Sequence, residues 1–438
     1  MEPTPRWYPD IGDSGMAAVR AAEGPPALPQ ETGHPPMSFV EKALLGLIIV
    51  TLPLESHITI IPGYSIQFIM FGAIACYVAV RDYGILLRVM GHPVFLSAYL
   101  FFLYAIAMEV TAPHASFEVL TRTGQMIVGA ILVASICRDR QSLNIALLGY
   151  IVAGLWLSVM LFLTSYGAIQ RAAASDFEEA SKLRAEVFAE TAIEADLNSM
   201  AFSAGLGAVV SIALALKAPT ALSRNIFLGG GVFCLVATFL PLSRGGAAIA
   251  VLACASVMYA FGLRGAKALL MIAVLATIVW IVVPQAVWSR MAFSFEERDG
   301  KREGRASVYQ AAIDHLPEYI LTGVGAGNFW SSWGLTSDFK GSGRRVGGAH
   351  NSLIQVALYW GIGGLLTFLM ICWQAYRCLP RHNQWQAAPL CLLGISVSLL
   401  LYAQVVHTIY AKEFALGLGL LAGSHCWIWP NGIVPKDS

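Results

Sequence analysis

What most constrains this chain is a succession of long, nearly uncharged apolar runs divided by short polar links. A helix crossing about 30 Å of hydrocarbon needs roughly 20 residues, or about 17–25 with tilt. By that measure about twelve runs qualify. They lie near 40–55, 64–81, 94–110, 119–137, 143–165, 197–217, 225–241, 246–263, 267–284, 350–376, 387–406 and 411–429. The first is cut short by Pro53 and Glu55. Backbone groups in hydrocarbon must bond internally, so such runs are read as helices. Composition agrees. The chain is 57% hydrophobic and 13% charged, against about 45–50% and about 25% for soluble domains. The expected fold is an all-α polytopic membrane protein with about 12 transmembrane helices. A net charge of +1 gives no electrostatic case for nucleic acid.

The short links set the orientation. Arg81 and Arg88 separate the second and third runs, and Arg138 and Arg140 follow the fourth. Lys217 and Arg224 follow the sixth, Arg264 and Lys267 the eighth, and Arg377 and Arg381 the tenth. Every second link thus carries a basic pair. The positive-inside rule places these links in the cytoplasm. Residues 1–37 are rich in Pro, Gly and Ala without an apolar core, and read as a disordered cytoplasmic tail rather than a signal peptide. Residues 38–430 form the membrane domain and 431–438 a second cytoplasmic tail.

Two links are long, and both fall on the outer face. Residues 166–196 are acidic and amphipathic, with Phe177, Leu183, Val187 and Phe188 at roughly helical spacing, as in a helix lying on the surface. Residues 285–349 hold Arg290, a charged run Glu296–Arg305, a helical pattern over Ala306–His315, the run Thr322-Gly323-Val324-Gly325-Ala326-Gly327-Asn328-Phe329, and the pair Arg344-Arg345. The eight cysteines lie in or beside apolar runs with no CxxC spacing, so neither a disulfide framework nor a metal site is expected.

Several outward residues can carry chemistry. Arginine holds a dianion through bidentate, charge-assisted bonds, and histidine exchanges a proton near neutral pH. Arg244, in Ser243-Arg244-Gly245-Gly246, sits at an outer turn where charge is costly and flanking glycines leave room for a polar group. Arg122, near the outer start of the fourth run, reads equally as a functional cation or as an arginine snorkelling to headgroups. Arg305 either binds an anion or balances Glu303, and Arg344 and Arg345 either do so or contact anionic lipid. His350-Asn351 opens a long apolar helix, where His350 serves as a base or merely as an interfacial cap. The glycine run is not a dinucleotide loop, for it lacks the third glycine in register and a strand–helix frame. No Walker lysine, GxSxG elbow, HExxH or paired acids stand in for other chemistries.

Taken together, these motifs resemble the O-antigen ligase and polysaccharide polymerase superfamily of bacterial membrane glycosyltransferases. Asp196-Leu197-Asn198 is similar to the family's Asp-Pro-Asn, and Ser243-Arg244-Gly245 to its Ser-Arg-Gly turn. Gly304-Arg305, Tyr309, Pro317 and the glycine run resemble its large outer loop. His350-Asn351-Ser352-Leu353 with Gly361 and Gly364 resembles the signature that follows. The matches run from about 196 to 366 in the family's order. Leu197 replaces the usual proline, and Tyr359 stands where a glutamate often occurs.

The resemblance implies a GT-C-like helical enzyme in the bacterial inner membrane with its site facing the periplasm. The donor is a glycan on undecaprenyl diphosphate. The acceptor is a sugar hydroxyl, on lipid A–core for a ligase or on another lipid-linked repeat for a polymerase. No metal, cofactor or nucleotide sugar is implied. His350 would be catalytic, and Arg244, Arg305, Arg122 and Arg344 would bind the diphosphate, with Asn198, Asn351 and Arg345 as secondary candidates. A transporter of lipid-linked glycan or small solutes is the rival reading. It calls for paired halves and charges at mid-membrane, whereas here the halves differ and charges cluster on one face.

Overall fold

Helix starts in this chain are written in its capping residues. In the computed structural model, Ser38 Oγ accepts the Glu41 N–H and the Glu41 carboxylate accepts the Ser38 N–H, opening α1 (Phe39–Val50). A short antiparallel hairpin, β1 (Thr59–Ile61) and β2 (Tyr64–Ser65), leads into α2 (Ile66–Arg81). Next come α3 (Tyr83–Met90), α4 (Pro93–Thr111) with Pro93 in its first turn, and α5 (Phe117–Ile136). Asp139 and Ser142 form a second reciprocal cap for α6 (Arg140–Leu161). Then follow α7 (Leu197–Lys217), α8 (Ala221–Ala237), α9 (Arg244–Ala260), α10 (Ala266–Val282) and α11 (Arg305–Tyr319). The chain closes with α12 (Ser352–Arg377), α13 (Ala387–Tyr402) and α14 (Lys412–Gly423), the last running into a π turn, Ser424–Ile428. The structure describes residues 38–51, 59–61, 64–81, 83–163, 197–241, 243–263, 265–283, 287–288, 305–327, 351–380, 386–405 and 411–429.

This is a multi-pass, essentially all-helical membrane protein. Among the described residues, α4, α5, α6, α7 and α12 are long and apolar enough to cross a bilayer. The pair Ile69–Arg81 and Tyr83–Met90 would make a sixth crossing, but it bends by 112°. The link holding Arg81 and Arg88, read from sequence as a plain loop, therefore includes a helix. Shorter apolar helices, Ala221–Ala237, Arg244–Ala260, Ala273–Val282 and Ala387–Tyr402, fill other runs. The helix expected over Ala306–His315 is present as α11, while the 166–196 link, like most of 285–349, lies outside the described residues.

The bundle is organised about α7, the most deeply buried of the five long helices, with α6, α8, α9 and α13 packed on it. Small residues permit the approach. A Cβ on Gly207 would lie 2.7 Å from the Gly154 Cα, and one on Gly246 2.4 Å from the Ala201 Cβ. With lipid on the outside, such packing replaces the hydrophobic drive of a soluble core.

One end of the bundle collects the basic links. Glu41, buried at the start of α1, bonds Arg138 and lies 3.3 Å from Arg81. The Arg88 guanidinium sits over the Trp427 ring at 5.2 Å. All eight cysteines are free thiols.

Candidate functional site

The opposite end of the bundle is shaped by one non-local exchange of backbone hydrogen bonds. The sequence reads residues 350–376 as one long helix, but α12 breaks at Trp360 and Gly361, where Gly361 has φ +68°. In an unbroken helix the Ile362 N–H would bond the Leu358 carbonyl. Here it bonds Ile320 O at 2.6 Å, and the freed Leu358 carbonyl accepts the Val324 N–H at 2.8 Å. Tyr359 O accepts the Gly325 N–H at 3.0 Å. The glycine run is thus threaded into the break as a strand-like segment.

Its far edge pairs with the link between α4 and α5. The His114 N–H donates to Val324 O at 3.2 Å, and the Gly327 N–H to His114 O at 2.6 Å. Gly325 adopts φ +90°, and a Cβ there would lie 2.5 Å from His114 O. Only glycine tolerates both the backbone conformation and that approach. These glycines therefore serve close backbone packing.

A carboxylate that the sequence did not single out fastens this junction. Glu109, fully buried near the end of α4, accepts the Trp360 indole N–H at 2.7 Å and the Ala326 N–H at 2.9 Å. It also accepts the Ser116 N–H. Three donors from separate segments converge on one buried group, which offsets the cost of taking it out of water. The signal was an acid inside a predicted span. Tyr359 is buried, and its hydroxyl accepts from Gln355 Nε2 at 2.6 Å.

Beside this junction, several motif residues meet at the end of α13. Asn351 Oδ1 caps α12, accepting the N–H groups of Leu353 at 2.9 Å and Ile354 at 3.1 Å. Its Nδ2 donates to Gln404 Oε1 at 3.2 Å. Tyr309 Oη donates to Gln404 O at 3.4 Å, and Ser352 N to Ala403 O at 2.7 Å. Gly245 abuts Val405, so the Ser-Arg-Gly turn joins the same place. Ser243 caps α9 and donates from Oγ to Asn198 Oδ1 at 2.8 Å. Ser199 donates to Glu413 at 2.9 Å, which brings in the start of α14. The amino ends of α9, α12 and α14 all open at this end, where helix dipoles favour an anion.

The structure places the candidates as follows. Asn198 and Asn351 lie within this network. Arg244 is exposed and is the first residue of α9, between Ser243 and Gly245. Arg305 opens α11, four residues before Tyr309. Arg122 is exposed on α5 and bonds Glu118 at 2.5 Å, one helical turn away. His350, Arg344 and Arg345 lie outside the described residues, though Asn351 follows His350 directly in the chain.

An all-helical membrane bundle with a polar junction of this kind defines the class, and one family model matches part of the chain. Residues 229–369 match the family model described as O-antigen ligase. The chain thus carries an O-antigen ligase domain, supporting the superfamily that the motifs resemble and a ligase- or polymerase-type role in glycan assembly. Arg244, Arg305, Arg344, Arg345, His350 and Asn351 fall inside the matched segment, whereas Asn198 and Arg122 fall outside it. No curated protein matches the chain.

Proposed function

We propose that the protein transfers a glycan from undecaprenyl diphosphate to a sugar hydroxyl at the periplasmic face of the bacterial inner membrane. The observation that carries this reading is the meeting of Asn198, Ser243, Tyr309 and Asn351 at one end of the bundle, within and beside the O-antigen ligase domain. That end lies opposite the buried Glu41–Arg138 pair and the other basic links, which the positive-inside rule assigns to the cytoplasm.

The chemistry follows from the leaving group. Breaking the anomeric C–O bond leaves a lipid diphosphate with added negative charge. Arg244 and Arg305 bind it through charge-assisted bonds that strengthen as the charge develops, with Arg122 and Arg344 as helpers. His350 takes the proton of the attacking hydroxyl. The displacement is direct and inverts the anomeric centre, with no metal in the step. Asn351 positions His350 by fixing the start of α12, and Arg345, like Asn198, supports the anion site. The broader architecture is GT-C-like, with about 12 crossings. The acceptor is lipid A–core if the enzyme is a ligase, or a second lipid-linked repeat if it is a polymerase. Purified chain incubated with a lipid-linked donor and each acceptor, read by gel shift, tests this. Transfer to one acceptor is expected; transfer to neither would overturn the reading.

A further inference from the structure

At the basic end, far in sequence from one another, three side chains with metal-binding atoms come together. His92 Nε2 lies 3.1 Å from His425 Nδ1, and with Cys378 Sγ all three ligand atoms fall within 4.8 Å of one another. Each stands at a helix end. His92 precedes α4, Cys378 closes α12, and His425 lies in the π turn after α14. The cluster therefore joins three elements that have no sequence proximity.

We propose that His92, Cys378 and His425 form a binding site for a zinc-class transition metal at the end of the bundle opposite the glycan site. Two imidazoles and a thiolate are a donor set suited to zinc, with a fourth position left for water. Tetrahedral zinc places two nitrogen ligands about 3.4 Å apart and nitrogen and sulfur about 3.6 Å apart, from bonds of about 2.0 and 2.3 Å. The histidine pair already has nearly that spacing, and the rings must turn and the sulfur close to share the ion. Cys378 is 3% exposed and His92 9%, so the site sits in the fold while His425 keeps access to solvent. The π turn supplies a second, independent sign. Its Trp429 N–H bonds Ser424 O at 2.8 Å, the widened turn that often marks a functional position.

Binding balances simply. In the metal-free protein Cys378 donates its S–H to Gln374 O at 3.2 Å, and His92 Nδ1 accepts the Val94 N–H at 3.4 Å. The shared proton therefore sits on His92 Nε2, donated to His425. On binding, the thiol proton leaves to solvent. The Nε2 proton moves to His92 Nδ1, at the cost of the long capping bond from the Val94 N–H. The metal takes the place of the imidazole–imidazole hydrogen bond and ties together the ends of α4, α12 and α14. Two of those helices carry Glu109 and Asn351 at their other ends.

The test uses the full chain in detergent, stripped with chelator and titrated with cobalt(II), then zinc(II). One cobalt per chain with a thiolate-to-cobalt charge-transfer band is expected, displaced by zinc with a rise in melting temperature. Cys378→Ser should remove the band and weaken binding more than about a hundredfold, since even outer partners of a metal cost about 10–100-fold. Cys426→Ser, the neighbouring thiol, should leave it intact. Should Cys378→Ser misfold, zinc protection of Cys378 in the unmodified chain against a maleimide, read by mass spectrometry, gives the same answer. No thiolate band at one equivalent, a band lost in Cys426→Ser, or no protection of Cys378 would overturn the proposal. Glycan transfer is not the readout, so this outcome is separate from that of the transfer assay.

Discussion

Glu109 and Trp360, on two different helices, meet through a 2.7 Å hydrogen bond from the indole N–H to the carboxylate, fully out of solvent. That contact sits where the glycine run enters the broken α12, and the same carboxylate takes the Ala326 N–H. Glu109→Gln keeps the shape but presents an NH2 to one of these donors. It should lower stability by roughly 1.5–3 kcal/mol, the range for hydrogen bonds to charged groups. Thermal unfolding in detergent measures this. An unchanged melting temperature would mean that the junction does not depend on the carboxylate.

The glycines of the junction should not be equivalent to other glycines. Gly325→Ala places a Cβ at φ +90° and 2.5 Å from His114 O, whereas Gly229, in α8, has nothing within 4 Å of its built Cβ. A non-glycine residue in the left-handed region costs about 1–2 kcal/mol before the clash is counted. Gly325→Ala is expected to abolish glycan transfer and Gly229→Ala to leave it intact, measured on equal amounts of membrane-inserted protein.

The two roles of Asn351 can be separated. Its Oδ1 caps α12, while its Nδ2 holds Gln404. Asn351→Asp keeps the cap and loses the donor, so it should retain stability and lose transfer. Asn351→Ala should also lose about 1 kcal/mol from the missing cap. Melting temperature and transfer rate, measured together, distinguish them.

At the other end, Arg138→Ala removes a buried partner of Glu41. Breaking a buried ion pair from one side costs about 3–5 kcal/mol. Arg81, 3.3 Å from the same carboxylate, should reduce that loss. The double variant Glu41→Gln with Arg138→Met should recover much of the stability, because no buried charge remains unpaired. Thermal unfolding of the single and double variants checks both statements.

Much of this architecture is visible in the sequence because the bilayer imposes a length and a polarity on each helix. A described helix lies in every apolar run, and the basic links fall at one end through Arg81, Arg88 and Arg138. The α12 break was not legible. Gly361 lies in an apolar run, and its φ of +68° arises because a segment from another part of the chain takes over the helix's own hydrogen bonds. Glu109 was not singled out for the same reason, since its three donors are contributed by residues after it in the chain. His92, Cys378 and His425 carry no spacing signal, as each belongs to a different helix end. The motifs did locate the polar junction, through Asn198, Ser243, Tyr309 and Asn351.

The central claim is that the Arg244 cation and the His350 imidazole carry glycan transfer. It is tested most directly by His350→Ala and Arg244→Ala in purified protein, with a lipid-linked donor and acceptor resolved by gel shift. Each variant is predicted to insert, to melt as the unmodified chain does, and to transfer no glycan. Full transfer by both would contradict the account.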